Sequence, residues 1–191
     1  RDGYQENLAL EGSGKDADDA DDFGIRTQLL LTPGGSLDMT LRFNYAQKRG
    51  VGYALKRDGP LPTSVDFPRP IYEQDIYAGA TANPEDEREI YLDTKGRNDN
   101  EMINGNADIQ WQVPEIPLLG NTKLRILGSF TDFEDSSVND QDYSDVRLAV
   151  ANQSWQGDEW VGEIDWSSDY GGVGGWLLGI FHLGTTADND I

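Results

Sequence analysis

Apolar and polar residues alternate without a break from Leu37 to Tyr45: Leu37, Met39, Leu41, Phe43 and Tyr45 are apolar, whereas Asp38, Thr40, Arg42 and Asn44 are polar. Successive strand side chains point to opposite faces, so the pattern predicts a β-strand with one apolar and one polar face. It has the length of a tilted strand that crosses a bilayer, about 9–11 residues. The same period returns at 103–113, where Ile103, Gly105, Ala107, Ile109, Trp111 and Val113 alternate with Asn104, Asn106, Asp108, Gln110 and Gln112. Four more strands are predicted: 23–31, with Phe23, Ile25, Leu29 and Leu31 on one face; 123–131, with Leu124, Ile126 and Phe130 together; and, with blurred alternation, 159–167 and 176–183. Pro33-Gly34-Gly35-Ser36 predicts a hairpin turn between the first two.

The connections alternate in length. Those near 33–36, 114–122 and 168–175 are short or moderate, whereas 1–22, 46–100 and 134–158 read as long polar loops. Successive connections of an up-and-down sheet lie at opposite ends, so all the long loops fall at one end. Of the 35 acidic residues, 27 lie in those loops, at Glu159 or after Thr186, which assigns the charge to one rim rather than to the strand faces. Short turns on one side, long loops on the other and alternating faces are the pattern of a transmembrane β-barrel. The expected fold is therefore all-β: about six strands of an antiparallel up-and-down transmembrane barrel with long acidic external loops. The smallest such barrels use about eight strands, so residues 1–191 are expected to be part of a larger barrel domain. Leu37, Met39, Leu41, Phe43, Tyr45, Ile103, Ala107, Ile109, Trp111 and Val113 are the expected lipid-facing residues. Phe43, Tyr45, Phe130, Phe133 and Trp160 are expected in an outer aromatic girdle, and Trp111, Trp166 and Trp176 in an inner one. The competing architecture is a soluble extracellular β-sandwich that buries the same alternating face against a second sheet and binds carbohydrate or calcium.

Composition narrows the function classes. A formal net charge of -20 repels phosphate backbones and argues against nucleic-acid binding. So acidic a chain invites disorder, but five Trp, eight Tyr and six Phe argue against it. Cysteine is absent, which removes disulfides, thiol catalysis and Cys-based zinc sites. No apolar run reaches the roughly 18 residues of a membrane helix. The chain begins at Arg1 without a leader pattern, so an export signal is expected to be removed or to lie upstream. Asp16, Asp18, Asp19, Asp21 and Asp22 have the short carboxylate spacing that suits Ca²⁺, yet the glycine and terminal glutamate of an EF-hand loop are missing, which favours a solvated loop. Asp86 and Glu89 have nothing that places them across a substrate. His182 is the single histidine and fits a girdle or lumen position better than a triad or metal site. Gly171-Gly172-Val173-Gly174-Gly175 lacks the Gly-Lys-Ser/Thr of a phosphate loop and reads as a turn. Tyr53, Phe67, Tyr72, Tyr77 and Tyr91 offer rings that could stack on a ligand or pack within their loop. No catalytic residue, cofactor or metal is assigned, and no enzyme activity is expected.

Three segments resemble the barrel region of TonB-dependent outer-membrane receptors. They are Arg1-Asp2-Gly3-Tyr4-Gln5 with the acidic linker before a strand and Pro-Gly-Gly; Leu127-Gly128-Ser129-Phe130-Thr131-Asp132-Phe133-Glu134-Asp135; and Glu159 through Gly172 followed by Trp176-Leu177-Leu178-Gly179-Ile180-Phe181. Asp165-Trp166 replaces the Arg-Leu-like pair of that pattern, and His182 stands where an aromatic is common. The resemblance implies a 22-stranded plugged barrel of the bacterial outer membrane. Such a barrel imports a scarce nutrient, such as a ferric siderophore, with energy delivered through TonB. The implied partners are outer-membrane lipid, a small-molecule ligand at the external loops, and the TonB complex through parts outside these 191 residues.

Overall fold

The computed structural model describes residues 4–10, 16–17, 19–51, 55, 79–82, 84–117, 119–170 and 174–190. The candidates Asp18, Tyr53, Phe67, Tyr72, Tyr77, Gly171, Gly172 and Val173 lie outside these residues. The chain is all-β. In order, its strands are β1 (Gln5–Asn7), β2 (Asp16–Ala17), β3 (Asp21–Leu31), β4 (Leu37–Gly50), β5 (Glu89–Ile90), β6 (Arg97–Ile116), β7 (Gly120–Asp140), β8 (Val150–Asp169) and β9 (Gly175–Asp190). Six of them form one antiparallel meander in the order β3-β4-β6-β7-β8-β9, and β2-β1-β5 form a small second sheet. The large sheet is open: β3 and β9 are its two edges, and it does not close into a barrel.

All six expected strands are present, but they are longer than the alternation indicated. β6, β7 and β8 have 20, 21 and 20 residues, a length of about 66–70 Å at roughly 3.3 Å per residue. The stretch 134–158 is therefore not a loop. β7 continues to Asp140, β8 begins at Val150, and the register runs unbroken through Glu134↔Gln156 to Asp140↔Val150. The 46–100 loop is likewise shortened at both ends, by β4 reaching Gly50 and β6 starting at Arg97, and it contains β5. Residues 1–22 contain β1, β2 and the start of β3. The physical reason is common to all three. Backbone ladders do not depend on side-chain polarity, and where both faces of a strand are polar, hydropathy carries no period. The charge is accordingly not confined to a rim: Asp99, Glu101, Asp132, Glu134, Asp135, Asp158 and Glu159 all sit on strands.

Short turns join the strands at one end of the sheet. Gly34 and Gly35 carry the first with φ of 75° and 71°, and Gly120 opens β7 with φ of 69°, all in the left-handed region that glycine enters without a Cβ clash. The long connections lie at the other end. There the small sheet packs: Ala17, Ile90 and Leu92 are the buried apolar residues among those described, with Val51 and Tyr143 against them. Asn7 is 3% exposed and behaves as an extra strand residue. Its side chain donates to Leu92 O at 2.9 Å and accepts from Leu92 N and Ala9 N at 3.1 Å.

Candidate functional site

Register assembles the ten expected lipid-facing residues on one face. Directly opposed pairs are Leu37↔Trp111, Met39↔Ile109, Leu41↔Ala107 and Tyr45↔Ile103, with Phe43 opposite Gly105 and Val113 opposite Thr122. The same face continues through Phe23, Ile25, Leu29 and Leu31 of β3, Leu124, Ile126 and Phe130 of β7, Trp160, Ile164 and Trp166 of β8, and Trp176, Leu178 and Ile180 of β9. One apolar band thus crosses all six strands. Its side chains are open: Phe43 is 44%, Trp160 56% and Ile180 70% exposed.

Aromatic pairs mark the margins of the band. Phe23 and Tyr45 have ring centroids 6.1 Å apart and Phe130 and Trp160 4.3 Å, at the margin nearer the loop end. Trp166 and Trp176 meet at 5.3 Å at the margin nearer the turns. Phe133 does not join this set. It is three residues from Phe130 and so lies on the opposite face, edge-on to Trp155 at 5.7 Å. Just beyond the loop-side margin the face turns from apolar to acidic, with Glu101 opposite Glu134 and Asp132 opposite Asp158. His182 lies on the band's face two residues beyond Ile180, opposite Gly162.

The two margins slide along the register. Starting from Phe23, the register leads through Gln47, Glu101, Glu134 and Gln156 to Asp188, eight residues past Ile180, the last apolar residue of that face on β9. Starting from Leu31 it leads through Met39, Ile109, Ile126 and Ile164 to Ile180, four residues short of the turn-side limit at Trp176. The mean drift is six positions over five strand-to-strand steps. At about 3.3 Å per residue and about 4.8 Å per strand, the band runs at roughly 40° to the perpendicular of the strands.

The opposite face is mainly polar and laced across strands. Arg125 grips Asp108 with Nε and Nη2, each at 3.1 Å. Arg42 donates to Gln28 and Asn106, both at 3.2 Å, and Asn104 donates to Thr131 at 2.8 Å. Apolar residues interrupt this face at Leu30, Met102, Phe133 and Trp155 and most of all along β9, where Leu177, Phe181 and Leu183 are 70%, 62% and 50% exposed. That explains the blurred alternation of β9.

Sequence reasoning missed the other notable cluster, at the loop end. Asp93, Asp140 and Asp142 each bring a carboxylate oxygen within 4.8 Å of the others. Asp93 follows β5, and Asp140 and Asp142 flank the end of β7, so residues far apart in sequence meet only in the fold. Asp140 Oδ1 accepts from the amides of Asp142 at 3.0 Å and Tyr143 at 2.8 Å. Asp142 Oδ2 accepts from Leu148 N at 3.1 Å and Ala149 N at 2.8 Å. Burial above all, and then the neighbouring carboxylates of Asp142 and Asp93, push the Asp140 carboxyl up to about 6. A cavity of about 220 Å³ reaches Asp140 and is lined also by Asn7, Ala17, Val51, Leu92 and Tyr143. In the acidic run of residues 16–22, whose sequence favours a solvated loop over calcium, Asp19 Oδ1 accepts from the amide of Val51. Asp86 Oδ1 caps its own loop through Arg88 N at 2.9 Å. No protein-family model, curated protein or solved structure matches the chain.

Proposed function

We propose that the large sheet is part of the wall of an outer-membrane β-barrel and that this barrel is an importer of the TonB-dependent receptor type. The observation that carries the membrane reading is the drift of the apolar band. A flat hydrocarbon slab crossed by strands inclined at about 35–45° cuts successive strands at progressively shifted register positions, and the drift of roughly 40° falls in that range. The nine residues from Leu37 to Tyr45, about 30 Å along the strand, then span a height of about 23 Å, close to the roughly 25 Å apolar belt of such barrels. Aromatic pairs at both margins and the abrupt change to Glu101, Asp132, Glu134 and Asp158 fit the two interfaces.

In this reading further strands complete the edges that β3 and β9 leave open among the described residues. The importing role rests on the resemblance of Leu127–Asp135 and Glu159–Phe181 to the receptor family, and the loop end is the side on which a small-molecule ligand would be met. The sandwich alternative needs a second layer over the band. Among the described residues, the small sheet packs at the loop end instead.

The absence of cysteine makes the test clean. Single cysteines at 38 to 45, spin-labelled in protein reconstituted into vesicles, should show oxygen accessibility peaking at positions 39, 41 and 43 and falling at 40, 42 and 44. Equal accessibility to a water-soluble nickel complex at 39, 41 and 43 would sink the membrane reading. Uptake of a ferric siderophore that stops when TonB is deleted tests the importing role separately.

A further inference from the structure

The carboxylates of Asp93, Asp140 and Asp142 have a spacing that one hard cation explains. Calcium binds oxygen at about 2.3–2.6 Å, so two ligand oxygens of one ion lie at most about 5 Å apart, and all three oxygens here fall within 4.8 Å. Spacing alone is common on acidic surfaces. What separates this cluster is Asp140 itself: it is only 7% exposed, and its Oδ2 is buried with no hydrogen-bond donor. Its other oxygen is held by two amides, and the carboxylates of Asp93 and Asp142 stand beside it. Among the described residues no Lys or Arg forms an ion pair with Asp93 or Asp140. A buried carboxylate oxygen facing other carboxylates needs a positive partner or a proton.

We infer that Asp93, Asp140 and Asp142 form a calcium site that clamps the connection between β4 and β6 to the β7–β8 loop. The donors are all oxygens, which suits calcium rather than the nitrogen and sulfur sites of zinc, and the adjoining cavity of about 220 Å³ has room for waters to complete the shell. The two segments are also joined by the bonds from Asp93 N to Ser144 O at 2.9 Å and from Thr81 N to Asp145 Oδ1 at 2.8 Å, and by Tyr143 packed against Ile90 and Leu92. Bound calcium would fix the loop end, where the longest connection meets the small sheet. This inference does not depend on the membrane reading.

Calorimetric titration of the chelator-treated protein with calcium chloride should give one ion per chain. Asp140→Asn and Asp93→Asn should each weaken it at least tenfold, whereas Asp135→Asn, on the same strand outside the cluster, should leave it unchanged. Hydrogen exchange on the unaltered protein gives a readout that needs no variant: calcium should slow exchange in residues 91–95 and 141–149 and leave the centre of β6 as it was. No binding heat together with unchanged exchange would overturn the site, as would wild-type affinity in Asp140→Asn. In either case a shared proton would be the better account of the buried pair.

Discussion

At the scale of single residues, the deciding property is which face a side chain occupies. Leu41 lies mid-band, flanked by Leu29 and Ala107, while its neighbour Thr40 faces Leu30 and Asp108 on the other side. If the band meets lipid, Leu41→Arg should cost about 2–4 kcal/mol, and Thr40→Lys, next to an acidic partner, less than about 1 kcal/mol. Urea titration of both variants in vesicles measures the contrast, and equal costs would remove the distinction between the faces. Face assignment by parity also explains which aromatics were legible in the sequence. Phe43, Tyr45 and Trp111 share the parity of their apolar neighbours, whereas Phe133, three residues from Phe130, sits across the sheet beside Trp155. The Asp93 cluster had no sequence signal at all, because its members are joined only by folding.

At the scale of elements, strand length and strand joining are governed by backbone pairing. β7 and β8 pair over their whole length, from Asn121↔Asp169 to Asp140↔Val150, although only the part from Leu124 to Phe130 carries an apolar face. The alternation was therefore legible inside the band and silent beyond it. The small sheet depends on Asn7, two of whose three hydrogen bonds tie β1 to the chain at Leu92, the third closing onto Ala9 N. Asn7→Ala would leave the buried Leu92 amide and carbonyl unpaired, at a cost of about 1–3 kcal/mol. The Leu92 amide should then exchange at least tenfold faster while amides at the centre of β6 keep their protection. At the turn end, Gly120→Ala would place a Cβ 3.0 Å from Asp169 O at positive φ. A loss of about 1–2 kcal/mol is expected, read as a lower midpoint of unfolding in denaturant.

At the scale of the molecule, the slope of the apolar band against the register ties the sheet to its surroundings. In a membrane the hydrocarbon layer is flat, so the strands must lie near 40° to its normal if the band is to fit within it. Polarised infrared spectra of oriented bilayers containing the protein should give a mean strand tilt of about 40°. Strands parallel to the normal, or without preferred orientation, would show that the band is covered in another way. The net charge of -20 fits this placement, because acidic residues flank the band and extend onto the long strands above it.

Local alternation determined by itself that the chain is all-β, that it has six principal strands, and which residues of β4 and β6 share an apolar face. These depend on the period-two geometry of a strand, which each segment displays alone. Only the tertiary structure decided the reach of the strands, the drift of the band and the meeting of Asp93 with Asp140 and Asp142. Each of these is a relation between strands or loops set by register and packing: a polar strand extension leaves no trace in hydropathy, and a contact across 47 residues of chain leaves none in spacing.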